Sequence, residues 1–440
     1  MVPEPDPSLD GSVRFYNLQD KRPVQLRFSD EALVYTGFND WGGVGCIVIT
    51  DARDPAAEPI LQRLERERGA AVPIVTDLAG ETQAAVLYPA PRKQVDTAAL
   101  ARSWRTDFSQ GGSLDRMVKA QLRDFQPALT DPAAAAVSRV ELAGPEPVVV
   151  ATVGDTSRGY PLRFLMWHAV VNDVLAGVPI LVTYDPISGS PRVFDRRAGG
   201  QTYAFGLTGF LRDGNALLYD TETETWWQQL SGRALVGALT GRQLAPVDAT
   251  VVSAVRFQEL AKRAPERTSM MAPPAKGVPY GQTLYVHYDV PEGKPVFALG
   301  PFDERLRPLQ RVEIVEAGDV RVALPFPEGD AVKYGVYAVD VGGRHVVLFF
   351  DATTASELDN RRIFDARRIG RFSAFEAPGR SFAPAEEGFG LFVDDAGTVW
   401  DMLGNAVDGP DAGARLTPVT HYTSFWFSAS SNYPGLALAP

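Results

Sequence analysis

Between residues 168 and 196 the chain gathers side chains with acid, base and hydrogen-bonding chemistry: His168, Asn172, Asp173, Tyr184, Asp185, Ser188, Asp195 and Arg196. An imidazole beside carboxylates is the raw material of general acid–base catalysis. A guanidinium such as Arg196 presents a planar fork that matches an oxyanion. Asp185 and Ser188 offer hard oxygen donors, which suit a hard cation better than a soft one. No motif supplies Ser188 with a base, so a serine nucleophile has no support. We expect His168, Asn172, Asp185 and Arg196 to converge on one concave surface. Each has a plain structural alternative: a histidine at a helix C-terminus, an Asn172–Asp173 cap, and an edge-strand charge pair at Asp195–Arg196. Glu222 and Glu224, alternating with Thr221, Thr223 and Thr225, read as a turn.

The elements that must position these residues follow from periodicity. Leu162, Leu165, Met166 and Val170 recur at helical spacing, which predicts a helix over Leu162–Leu175 with His168 and Asn172 on one face. Val148–Val153 reads as a strand, and Val178–Tyr184 as a buried strand running into a turn at Asp185 and Pro186. Short strands continue to about residue 250, and Trp226 reads as core. Pro265, Pro273, Pro274 and Pro279 mark Arg263–Gly281 as a linker. Upstream, strand-like runs at Val24–Phe28, Val44–Thr50, Val72–Thr76 and Ala84–Tyr88 surround a helical stretch, Ala56–Arg68. The expected organisation is a small α+β domain over 13–95, a helical connector over 96–125, a first β-rich repeat over 126–270 and a second, degenerate one over 283–440.

Composition narrows the function. With 440 residues, 45% hydrophobic and 22% charged, the chain has what several cores require. A formal net charge of -11 argues against nucleic acid or an anionic membrane surface as partner. No apolar stretch reaches the roughly 18 residues of a membrane-spanning helix. The lone Cys46, in an apolar run, reads as a buried strand thiol and cannot form an internal disulfide. The histidines, at 168, 287, 345 and 421, lack zinc-site spacing. No metal or other cofactor is expected, and a small molecule is the partner class left open; a protein partner is undetermined. The start, Met1 to Pro7, has neither a basic nor an apolar leader region, so no export signal is expected and the compartment stays open.

Gly232–Val247 aligns without a gap to Gly404–Val419, matching Gly232 with Gly404, Gly237 with Gly409, Gly241 with Gly413, Leu244 with Leu416 and Pro246 with Pro418. Gly177–Asp185 matches Gly343–Asp351 in length and pattern, and Asp220 and Trp226 answer Asp394 and Trp400. Such an ordered series points to internal duplication. The region before that second strand, Gly329–Gly342, has no histidine and no Asn-Asp pair, so the candidate site is expected in the first copy alone.

Several strings resemble the bacterial family catalogued as domain of unknown function 3179: Tyr160-Pro161-Leu162-Arg163 with His168, Asn172-Asp173 and Gly177-Val178-Pro179; Val193-Phe194-Asp195-Arg196; Ser231-Gly232-Arg233-Ala234; and Ser424-Phe425-Trp426-Phe427. Trp104–Phe108 resembles a segment that often precedes it, so the resemblance covers about residues 104–440. It implies no activity. It does mark a departure: typical members carry a Cys-Pro-x-Cys-Gly turn where this chain has Asp185-Pro186-Ile187-Ser188-Gly189, and a Glu where it has Ala169. If the family's site is a thiolate site, this chain has lost it.

The expected fold class is thus α+β, mainly β: an internally duplicated β-rich module behind a small α+β N-terminal domain. Two functions remain open. One is a non-catalytic binding or structural protein that has lost its family's thiols. The other is an enzyme acting on a small molecule through His168, Asp173 and Asp185, with or without a hard metal ion.

Overall fold

A computed structural model describes four short strands within residues 13–84 and then residues 100–439, apart from 101–103, 112–115, 121–122, 277, 284, 291, 296–300, 328–331 and 387–389. Cys46 and most of the expected N-terminal domain lie outside the described residues. Trp104–Asp107, expected to be helical, are not, and Met117–Lys119 form a strand. The Trp104 and Phe108 rings pack edge-on against Trp226, at 5.0 and 5.2 Å between centroids.

The described chain is predominantly β, in antiparallel units joined by tight turns. The first is a hairpin of β1 (Pro147–Val153) and β2 (Thr156–Pro161). A one-turn helix, α1 (Leu162–Leu165), leads into a meander of β3 (Val170–Leu175), β4 (Val178–Asp185) and β5 (Ser190–Asp195). A second meander follows, of β6 (Phe205–Arg212), β7 (Asn215–Asp220), β8 (Trp226–Gln228) and β9 (Ala234–Val236). Met117–Lys119 extends it beside β6. The chain then returns as β10 (Ala249–Ser253) beside β1, turns through α2 (Ala254–Arg263), and lays β11 (Thr268–Met271) parallel to β2.

The order recurs from residue 311. A hairpin of β12 (Arg311–Ala317) and β13 (Val320–Pro325) precedes a meander of β14 (Tyr334–Val341), β15 (Arg344–Asp351) and β16 (Arg371–Glu376). A four-stranded meander follows, of β17 (Phe382–Pro384), β18 (Leu391–Asp394), β19 (Val399–Asp401) and β20 (Ala406–Asp408). The chain returns as β21 (Thr420–Phe425) beside β12, turns through α3 (Trp426–Asn432), and lays β22 (Ala437–Leu438) parallel to β13.

The helix expected over Leu162–Leu175 is corrected to one helical turn followed by β3. Val170, Val171 and Val174 are β-branched and suit a pleated strand. Ala176 and Gly177, at φ 47° and 79°, close the two-residue turn that pairs β3 with β4. Trp227, rather than Trp226, stands where Trp400 stands: each indole donates to an aspartate at the preceding turn, Trp227 to Asp220 at 2.8 Å and Trp400 to Asp394 at 3.0 Å. The turn from Asp220 to Thr225 is one residue longer than that from Asp394 to Thr398, which shifts the register by one. Both Trp226 and Trp227 are fully buried.

Val182, Phe194, Trp227, Phe257, Phe349, Phe375, Trp400 and Phe425 belong to one continuous apolar core that runs through both series of strands.

Candidate functional site

The side chains singled out from the sequence serve separate bonding sets. On β3, Asn172 accepts from the Phe205 N–H at 2.8 Å and donates to its carbonyl at 2.9 Å, tying β3 to β6. Asp173 pairs with Arg158 at 2.7 Å and accepts from the Tyr160 hydroxyl at 2.7 Å, tying β3 to β2. Arg196 donates to the carbonyls of Ile180, Tyr203 and Asp173. Asp195 makes a forked surface pair with Arg197. These four sit at the Ile180 end of β4, because Ile180 pairs with both Asp173 and Asp195. Asp185 lies five residues along that strand, roughly 17 Å away at 3.4 Å per residue. His168 shares hydrogen bonds with the Tyr280 hydroxyl at 2.9 Å and the Pro127 carbonyl at 3.3 Å. Burial lowers its pKa, and the Pro127 contact offsets this in part.

Asp185 and Ser188 meet in a buried polar knot where β4 turns into β5. The Asp185 carboxylate accepts from the Ser188 hydroxyl at 2.6 Å, the Ala216 N–H at 3.0 Å, the Ile187 N–H at 3.1 Å and the Asn215 amide at 3.1 Å. Ser190 and Gln229 complete it, Gln229 accepting from Asn215 at 2.7 Å. Burial raises the Asp185 pKa, against the Ser188 and backbone donors that favour the carboxylate. The second series of strands closes over the turn: the Phe425 N–H donates to the Ser188 carbonyl at 2.7 Å, and the Tyr288 hydroxyl to that of Ile187 at 2.8 Å. A knot this satisfied and covered fastens elements together and leaves no donor or acceptor aimed at a ligand.

A cavity of about 200 Å³ opens beside it, well above the ~10–15 Å³ that one water needs. Its walls come from both series: Arg192 and Val193 of β5, Ala249–Val251 of β10, Glu313 of β12, Arg371 and Phe372 of β16, and Thr420–Thr423 of β21. Val247, Asp248, Ala249 and Thr420 are half-buried, so the cavity reaches solvent on that side.

The carboxylates on the wall already have partners. Glu313 contacts His421 Nδ1 at 2.6 Å and accepts from the Thr423 hydroxyl at 2.8 Å, and Asp248 pairs with Arg415 at 2.8 Å. Arg371 is bound to Glu357 at 2.6 Å. Arg192 differs. It is 5% exposed, its guanidinium lies 3.5 Å from the centroid of the Tyr422 ring and 4.8 Å from that of Phe194, and its Nε has no acceptor. Among the described residues no carboxylate pairs with it. Stacking on two rings contributes about 0.5–2 kcal/mol, whereas an uncompensated buried ion costs several kcal/mol. Ring contacts supply no acceptor for the guanidinium N–H groups, and Nε is left without one.

Behind Arg371 lies a buried ion cluster. Arg311 bridges Asp289 at 2.9 Å and Glu357 at 3.3 Å, Arg367 pairs with Asp289 at 3.0 Å, and the Tyr184 hydroxyl donates to Glu357 at 3.0 Å. Burial alone would raise the Glu357 pKa, but Arg311 and Arg371 outweigh it and hold the carboxyl below its usual range. Arg367 also reaches Asp359 at 3.8 Å, so three guanidiniums meet three carboxylates and the cluster is internally compensated. Among the described residues no group of three or more His, Cys, Asp or Glu could hold a metal ion, and no helix is long and apolar enough to cross a membrane.

Sequence reasoning passed over Arg192, Glu313, His421 and Tyr422. One signal was available. Arg192 sits two residues before the core residue Phe194 in a strand, and period-two alternation puts both on the same face.

Among known proteins, the family described as Protein of unknown function (DUF3179) matches residues 123–435. No curated protein and no solved structure matches.

Proposed function

Since the chain belongs to the family described as Protein of unknown function (DUF3179), which brings no activity with it, we propose from the geometry that the protein is a non-catalytic small-molecule-binding protein whose site is the cavity between β5, β10, β16 and β21. The observation that carries this reading is a solvent-reaching cavity whose wall holds a buried cation with no carboxylate partner among the described residues.

The reading includes internal duplication, with the site at the seam between two copies of one β-unit. Its support is the recurring strand order and the matched turns. Gly232 and Gly404 have φ of 70° and 74°, and a Cβ on either would meet a phenylalanine ring, Phe194 or Phe375. Their carbonyls accept from the N–H groups of Leu244 and Leu416 at 2.9 and 2.8 Å.

The catalytic alternative through His168, Asp173 and Asp185 has less behind it, because the three belong to separate bonding sets. A second reading rests on a different observation, the His421–Glu313 contact on the cavity wall. A carboxylate-oriented imidazole there would act as a general base toward a bound substrate. Binding is preferred because none of the hydroxyls lining the cavity hydrogen-bonds to that imidazole.

Ligand-observed NMR with a library of small polar compounds separates these readings. Saturable binding to the intact chain, lost on filling the cavity in Ala249→Trp or Thr420→Trp, is the expected result. Binding unchanged in both folded variants would overturn the reading. Turnover of a bound compound that disappears in His421→Gln would favour the second.

A further inference from the structure

Resting on the cavity reading, we infer that the ligand carries an oxyanion, a carboxylate or a phosphoryl group, received by the in-plane N–H groups of Arg192 while Tyr422 and Phe194 hold the guanidinium from its faces.

The placement of Arg192 follows from its strand. On β5 it pairs across to Thr183 of β4, and its side chain shares a face with Phe194. Tyr422 arrives from β21 with its ring centroid 3.5 Å from the guanidinium carbon, so both series of strands contribute a ring to the surroundings of Arg192. The Tyr422 hydroxyl lies 3.0 Å from the Tyr433 hydroxyl and 3.3 Å from a carboxylate oxygen of Glu316, which holds the ring in place.

The surrounding carboxylates are each engaged by another group. Glu316 pairs with Arg321 at 2.8 Å, Glu313 with His421, and Asp248 with Arg415. Each of these carboxylates already has a partner of its own, and Arg192 lines the cavity with no carboxylate partner among the described residues. A guanidinium with fixed faces and free edges is the arrangement that recognises a planar or tetrahedral oxyanion through paired N–H donors.

Arg371, also on the wall, does not compete for the role, because it is committed to Glu357. Cations of the ligand have no equivalent receiver among the described residues lining the cavity. A neutral ligand would leave Arg192 buried and unpaired. Threonine hydroxyls at 250, 420 and 423 line the rest of the wall, and suit a small polar body.

Isothermal titration of the full chain at low salt tests this with acetate and benzoate for the carboxylate source, inorganic phosphate and phenyl phosphate for the phosphoryl source, and benzyl alcohol as neutral counterpart. Binding of at least one anion pair member is expected, weakened tenfold or more in Arg192→Met. Arg192→Lys, which keeps the charge and loses the fork, should fall between the two, and decides the matter if the methionine variant does not fold. The arm that binds identifies the source. Anion binding equal in wild type and both variants overturns the inference. So does benzyl alcohol binding in the cavity with no anion bound, though that outcome leaves the cavity reading intact. Absence of any binding, with Ala249→Trp behaving as wild type, removes both.

Discussion

Arg371 and Arg311 show what one carboxylate is worth in this protein. Both are buried, and both pair with Glu357. Replacing Glu357 with Gln leaves two interior cations undercompensated, and should destabilise the fold by on the order of 3–5 kcal/mol in urea unfolding. The pH dependence carries a sign. The folded pKa of Glu357 is held down, so its contribution is full above the unfolded value near 4.3, and is lost as pH falls through the lower folded value. Glu357→Gln should flatten that part of the acid limb. Unchanged stability and an unchanged acid limb would show the cluster to be dispensable. At this scale the sequence was legible for residue type and blind to partnership. Asp185, Ser188, Asn172 and Asp173 are polar and close in sequence, as a site would be. Their partners Asn215, Phe205, Arg158 and Tyr160 come from other strands, and local spacing carries no record of those pairings.

Elements were read best where turn chemistry fixed them. The strand from Val178 to Asp185 and its match from Arg344 to Asp351 each follow a two-residue turn ending in glycine, Gly177 and Gly343 at φ 79° and 78°. The Leu162–Leu175 segment was misread because apolar residues at 162, 165, 166 and 170 satisfy a helical period. The competing signs were the β-branched valines and the Ala176-Gly177 pair, and sheet pairing decided between them. Glycine positions offer a direct test of equivalence between the two series of strands. Gly232→Ala and Gly404→Ala each combine a left-handed backbone with a ring overlap. Each should lower stability by roughly 2–4 kcal/mol, measured by chemical denaturation. A large loss from one and none from the other would count against equivalent turns.

For the whole molecule, the β-rich class was readable from strand-length apolar runs separated by glycine and aspartate. The seam was not, because it depends on how β5 and β10 meet β16 and β21. The apolar core is continuous across that seam, and polar contacts such as Tyr184–Glu357 and Arg256–Asp351 cross it. Residues 123–439 should therefore unfold in one transition, with tryptophan fluorescence and far-ultraviolet dichroism coinciding. Two separated transitions would indicate that the halves fold apart. The central claim, that the cavity at the seam is a ligand site, is tested most directly by crystals of the full chain soaked with small carboxylate and phosphate fragments. The account predicts a fragment inside the cavity with its oxyanion against Arg192. Fragments bound only elsewhere, with the cavity holding water alone, would contradict it.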